Sequence, residues 1–297
     1  MLQRKERNVL DIRCIALDLD RTTLGADGRL SPENRAAISY AVSKGVHVVI
    51  ASGRSFSTLP EEVIRIPGIQ YAITSNGAAV YTVPDGQCLQ RFYLSEESVL
   101  EILRLTEREA VVYEAFIDGI AFADEAYVRD PVRFGATAEA VSYVQSTRKL
   151  IFDMPAFIRA HANELESIDI VTHDEQIKSQ IWGKLQTFIS DIYITSSVPQ
   201  LIEIAHRNAG KHSGLRYIAE LLRLPREGIA AFGDGDNDQE MLTWAGCGIA
   251  VANATRACLS AADRVTSAHD ADGVAEGIYA LLSDRDNSTM EFPGRAD

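Results

Sequence analysis

The chain has 297 residues, 46% of them apolar and 24% charged, with a formal charge of −13. That length exceeds what one hydrophobic core usually organises, so two domains are expected, and the acidic balance argues against a nucleic-acid partner, whose binding runs on clustered Lys and Arg. Cys14, Cys88, Cys247 and Cys258 form no Cys-x-x-Cys pair, and neither the polar residues 1–11 nor any other stretch resembles a signal sequence or membrane span, which points to a reduced, cytoplasmic protein without a disulfide framework.

Residues 14–17 are a short, continuous apolar run, as expected of a strand covered on both faces of a parallel sheet. The run ends in Asp18 and Asp20. In open α/β sheets ligands bind outside the carboxyl ends of the strands, so both carboxylates are expected in a crevice. Ser31-Pro32-Glu33 reads as a helix N-cap followed by proline at the first helical position, with Gly45 ending the helix. Residues 46–51 and 71–74 are two more buried strands, delivering Ser52-Gly53-Arg54 and Ser75-Asn76-Gly77.

The texture changes at Val83-Pro84-Asp85-Gly86, a turn between apolar residues 79–81 and 89–93. Ser95 opens a helix, residues 111–123 form a hairpin about Asp118-Gly119, and strands at 168–171 and 192–195 flank a helix over 174–189. Residues 84–196 are therefore expected to be an inserted α/β layer, with residues 1–83 and 197–297 as the core. The parallel pattern is expected to resume at residues 201–205, followed by a helix opening near Gly210-Lys211-His212. A strand over 229–232 then runs into Gly233-Asp234-Gly235-Asp236-Asn237-Asp238. Short strands at 248–251 and 264–266 follow, and residues 284–297 read as a frayed polar tail.

The strand ends thus gather Asp18, Asp20, Ser52, Asn76, Lys211, Asp234, Asp236, Asn237 and Asp238. Two carboxylates about 4 Å apart repel by roughly 4 kcal/mol at an effective dielectric near 20, so a cation is expected among them. All-oxygen ligands without histidine fit Mg²⁺ better than zinc or copper. A calcium loop starting at Asp234 would need Glu at its twelfth position, where Ala245 stands. Lys211 opposes the positive end of its helix, which is harmless if it is solvated and useful if an anion lies beside it. Ser52 with the Gly53 amide either holds phosphoryl oxygens or caps a helix. Arg54 either touches that anion or closes an ion pair. His206 and His212 read as solvated or core side chains, and Tyr113, Phe116, Phe122 and Trp182 as packing, with one aromatic free to face the crevice.

Asp18-Leu19-Asp20-x-Thr22, Ser52-Gly53-Arg54, Lys211 and Gly233-Asp234-x-x-Asn237-Asp238 resemble, in order and spacing, the four motifs of the haloacid dehalogenase superfamily. Ser75-Asn76-Gly77-Ala78, Val251-Ala252-Asn253-Ala254 and Asp272-Gly273-Val274 resemble its Cof-type subgroup of Mg²⁺-dependent phosphatases. The resemblance covers residues 12–83 and 200–282; between them it rests on length and position alone. It implies a doubly wound, Rossmann-like parallel sheet with an inserted α/β cap, acting on small phosphate monoesters such as sugar phosphates through an aspartyl-phosphate. By the same resemblance Asp18 is the nucleophile and Asp20 the acid and base. Leu19, Ser52, Gly53, Lys211 and Asn237 bind the phosphoryl group, with Lys211 and Ser52 also catalytic. The Asp18 carboxylate, Asp20 carbonyl and Asp234 hold Mg²⁺, Asp238 orients the loop, and Asp236 is a solvated neighbour. A phosphomutase and a non-enzymatic regulatory member are the alternatives on the same scaffold. Arg21 stands where the family most often has glycine, either reaching a substrate anion or pointing to solvent. The expected partner is a small phosphorylated metabolite, with no nucleic acid and no membrane.

Overall fold

In the computed structural model, the described residues are 11–138 and 140–288. The expectations for residues 1–10 and 289–297 lie outside them. The apolar runs form a sheet in the order Arg264–Thr266, Cys247–Val251, Ile229–Gly233, Cys14–Leu17, His47–Ala51, Ile69–Thr74, Ala79–Thr82, Cys88–Arg91. The first six strands are parallel, and the last two are added by antiparallel pairing. Cys14–Leu17 is buried throughout because it alternates between two cores. Ile15 and Leu17 pack with Ile38 and Ile278 of the helices Pro32–Ser43 and Gly273–Ser288. Cys14 and Ala16 pack with Leu215 and Met241 of Lys211–Leu221 and Gln239–Trp244. The Ser31 hydroxyl accepts the Asn34 N–H at 3.0 Å, which fixes the start of the first helix.

A second sheet runs Ile192–Thr195, Leu201–His206, Ser167–Val171, Val112–Ile117, Ile120–Asp124, Lys149–Ile151. Helices Glu96–Thr106, Met154–Ala160 and Glu175–Phe188 cover one face, burying Ile168, Ile170, Ile202 and Ile204. The architecture is a doubly wound parallel core carrying an inserted α/β cap. No helix among the described residues is long and apolar enough to cross a membrane.

Two boundaries differ from the expected 84 and 196. Cys88–Arg91 pairs with Ala79–Thr82 and extends the core sheet rather than the inserted layer. Leu201–His206 lies between two antiparallel cap strands rather than resuming the parallel core. The reason is visible in its alternation: Ile202 and Ile204 enter the cap core while Glu203 points to the other face, a pattern for a half-polar sheet. Residues 284–288, expected to fray, continue the helix Gly273–Ser288.

Candidate active site

Asp18 is the first residue past its strand, and its N–H donates to the Phe232 carbonyl at 3.1 Å, which holds it beside the strand that leads to Asp234. Lys211 opens its helix with its side chain 1% exposed, and its ammonium donates to Asp18 Oδ1 and Asp238 Oδ1, each at 2.7 Å. Asp238 Oδ2 accepts the N–H groups of Asp234 and Gly235, both at 3.0 Å, so one of its oxygens holds the loop while the other holds Lys211. Asp234 Oδ1 accepts from the Thr22 hydroxyl at 3.2 Å. Candidate ligand oxygens of Asp18, Asp234 and Asp238 lie within 4.8 Å of one another.

The charges do not balance. Three buried carboxylates face one buried ammonium, and the next cation, Arg21, is half-exposed with Nε 3.7 Å from Asp234 Oδ2. Burial, then repulsion from Asp238, pushes the Asp18 carboxyl well up in spite of Lys211. The same two causes raise Asp234 to about 6. Burial alone would lower Lys211, but Asp18 and Asp238 outweigh it and keep the ammonium charged. The set offers hard oxygen donors and lacks positive charge, which fits a divalent cation such as Mg²⁺. Both Asp238 oxygens carry hydrogen bonds, which leaves Asp18 and Asp234 the freer donors of the three. The Asp20 carboxylate is not in this cluster.

Beside it lies a cradle of small polar groups. The Ser52 hydroxyl accepts the Arg54 N–H at 3.1 Å, and Asn237 donates to Asn76 Oδ1 at 3.0 Å. Asn76 in turn donates to Glu203 Oε1 of the cap at 2.8 Å. Leu19 follows Asp18 directly and packs its side chain into the core, so only its main chain faces the crevice. The loop at 75–77 sits so close to the start of the Lys211 helix that a Cβ on Gly77 would stand 2.1 Å from the Gly210 carbonyl oxygen. Glycine is required there doubly, since its φ is +86°.

Asp20 is half-exposed at the crevice rim, held by a two-pronged bond from Arg54: Nε to Oδ2 at 2.8 Å and Nη2 to Oδ1 at 2.6 Å. Arg54 therefore closes an ion pair in this arrangement. Its guanidinium lies 4.2 Å from the ring centre of Tyr143, a cap residue whose ring is flanked by Arg148 at 4.6 Å. No periodicity marks Tyr143, whereas the sequence signal for Glu203 is a carboxylate inside an apolar run. Asp236 is exposed and accepts from Thr255 at 2.7 Å. His206 stacks on Phe92 at 5.6 Å, and His212 stands 3.0 Å from Glu240, both away from the cluster. Tyr113 and Phe116 are buried, Phe122 packs at a tilt on Phe157 with ring centres 4.9 Å apart, and Trp182 packs on the cap core.

A family model described as haloacid dehalogenase-like hydrolase matches residues 15–278. Phosphatase YwpJ of Bacillus subtilis (strain 168) is 29% identical over 291 residues, covering 91% of this chain and 100% of that protein. The 5-amino-6-(5-phospho-D-ribitylamino)uracil phosphatase YcsE of the same organism is 29% identical over 273 residues, covering 92% and 97%. The solved structure of a haloacid dehalogenase-like hydrolase from B. subtilis aligns with a TM-score of 0.79 at 28% identity, covering 91% of this chain and 100% of that one.

Proposed function

The chain belongs to the haloacid dehalogenase-like hydrolases, and from that premise we propose a Mg²⁺-dependent phosphatase that works through an aspartyl-phosphate on Asp18. It is a phosphoric monoester hydrolase of small phosphorylated metabolites, as its relatives are phosphatases. The observation that carries the finer reading is the Lys211 ammonium 2.7 Å from the buried Asp18 carboxylate, at the edge of an acidic cluster short of positive charge.

An Asp18 oxygen attacks phosphorus, the ester P–O bond breaks, and Asp20 gives its proton to the departing alkoxide. Water then attacks the phosphoryl group and leaves its proton on Asp20, and the Asp18 carboxylate is released. Lys211, Ser52, Asn237 and the main chain of Leu19 and Gly53 hold the phosphoryl oxygens as charge moves onto them. Arg54 holds Asp20 at the crevice rim by both oxygens, and one prong of that fork opens when Asp20 carries the proton. Mg²⁺, bound by Asp18 and Asp234 with the Asp20 carbonyl, would supply the positive charge that keeps Asp18 ionised beside a dianionic ester. The ribityl phosphate in the name of YcsE supports sugar phosphates and related polyol phosphates as the substrate class. The test is p-nitrophenyl phosphate and a panel of phosphorylated metabolites with Mg²⁺ or with a chelator. Turnover lost on chelation and restored by Mg²⁺ is expected; turnover indifferent to chelation contradicts the reading.

Mg²⁺ should also stabilise the fold in a pH-dependent way. The folded chain holds the Asp234 proton up to about 6, against the usual 3.8. The folded state therefore binds that proton more tightly than the unfolded chain, and stability falls as pH rises from about 4 to about 6. Above that range Mg²⁺ relieves the repulsion; below it protons compete for the same oxygens. Saturating Mg²⁺ is expected to raise Tm by about 5–10 °C near pH 7.5 and by clearly less near pH 5. Equal shifts at both pH values, read by scanning calorimetry, would count against the site.

Arg21 has φ +60°, a left-handed conformation that suits glycine, and its guanidinium competes for Asp234. Asn253 donates to its carbonyl at 2.9 Å, so the turn keeps its anchor without the side chain. Arg21→Gly is expected to lower the half-activating Mg²⁺ concentration by about 2- to 5-fold, the worth of a half-exposed ion pair. An unchanged value in a Mg²⁺ titration of activity means that Arg21 does not act on the metal site.

A further inference from the structure

We propose that Asp169 and Tyr127, on the crevice-facing side of the cap, form the subsite that receives the hydroxyl-bearing part of the leaving group; this rests on the phosphatase reading above. Glu114, Asp169 and Glu203 stand directly opposite one another across three adjacent cap strands, and so share one face of the sheet. Both ends of this row reach the phosphoryl site. Glu203 accepts from Asn76 at 2.8 Å. Glu114 is forked by Arg148 at 2.9 and 3.0 Å, and Arg148 shares the Tyr143 ring with Arg54, the residue that holds Asp20. Asp169 therefore lies over the crevice between Asn76 on one side and Asp20 on the other.

The ends are satisfied and the middle is not. Glu203 also accepts the Ser197 N–H, and Glu114 has Arg148. Asp169 is only 5% exposed, and among the described residues nothing donates a hydrogen bond to it. Tyr127, 3% exposed on the helix Glu125–Arg129, packs with Val112 and Val171, which share a strand face with Glu114 and Asp169, and among the described residues its hydroxyl has no hydrogen-bond partner; burial, then Glu114 and Asp169, push its phenol up. Neither group is among the sealed, unpartnered polar atoms of the described residues, so both open toward the crevice, where water or a ligand that replaces it meets them. An apolar leaving group would leave both unmet. Burial, then the neighbouring Glu203 and Glu114, push the Asp169 carboxyl well up, so it favours a neutral partner over an ammonium, and Arg148 is already forked on Glu114. Hydroxyl groups, which donate and accept, satisfy the carboxyl and the phenol together.

The experiment compares ribitol 5-phosphate with p-nitrophenyl phosphate, whose leaving group offers no such hydroxyls, using the full chain with Mg²⁺. Asp169→Leu is expected to lower kcat/KM for the polyol ester by about 10- to 100-fold, mainly through KM, with p-nitrophenyl phosphate changing by less than about 3-fold. Tyr127→Phe is expected to cost about 5-fold on the polyol ester alone. Asp169→Asn, close in shape and still polar, should fall between wild type and Asp169→Leu, and it carries the same comparison if the leucine variant does not fold. Equal losses on both substrates, or none on the polyol ester, overturn the inference. Wild-type protein that hydrolyses p-nitrophenyl phosphate without preferring the polyol ester also overturns it and leaves the phosphatase reading standing. No turnover of either ester overturns that reading and the inference with it.

Discussion

Asp18→Asn is expected to lower kcat/KM by a factor of about 10⁴ or more while the protein keeps its fold and, without Mg²⁺, melts no lower than wild type. The amide has nearly the same shape, and its oxygen can still accept from Lys211, which stands at 2.7 Å in the wild type. It cannot form an acyl-phosphate. It also removes a carboxylate that burial first, and then repulsion from Asp238 and Asp234, pushes up. Loss of the nucleophile and relief of repulsion therefore point in opposite directions, which separates this variant from one that merely damages the core. Activity within about tenfold of wild type, or a fall in Tm measured in a chelator, would contradict these roles.

Lys211→Met should do the reverse, costing stability and rate together. The ammonium is 1% exposed and bridges Asp18 to Asp238, each at 2.7 Å. Taking one partner from a buried ion pair leaves uncompensated charge and costs about 3–5 kcal/mol, or roughly 6–15 °C in Tm for a chain of this size. Mg²⁺ should recover part of that loss. The rate should fall by about 10²–10³, as when one preorganised donor to a developing oxyanion is removed. Lys211→Arg is not a rescue, because the larger planar group must enter a packed space. A melting curve for Lys211→Met that coincides with wild type would mean that the buried bridge contributes nothing.

The core was legible because strands of a covered parallel sheet are continuous apolar runs with abrupt polar ends. Residues 14–17, 47–51 and 229–233 have that form, and each delivers a motif to the crevice. The cap boundaries were not, because local pattern does not name a partner strand. Leu201–His206 is apolar enough for either sheet, and only Glu203, facing away from Ile202 and Ile204, marks it as half-polar. Cys88–Arg91 is a short, half-buried edge strand with little pattern of its own. In the site, Asp18, Asp234 and Asp238 converge as their motifs implied. The Arg54 fork on Asp20, 34 residues apart, and the ring of Tyr143 above it are tertiary contacts that no spacing rule reaches. The ion pair of Arg21 likewise depends on the left-handed turn that aims it at Asp234.

The covalent step is tested most directly in Asp20→Asn, which can still form the acyl-phosphate from p-nitrophenyl phosphate, whose leaving group needs no proton, but deprotonates water poorly. Acid quench during turnover with Mg²⁺, followed by peptide mass spectrometry, is expected to find one phosphoryl group on the peptide containing Asp18. The signal should be stronger than in wild type and absent without Mg²⁺. Hydrolysis proceeding with no phosphoryl group on that peptide, or with one on another residue, would show that Asp18 is not the nucleophile.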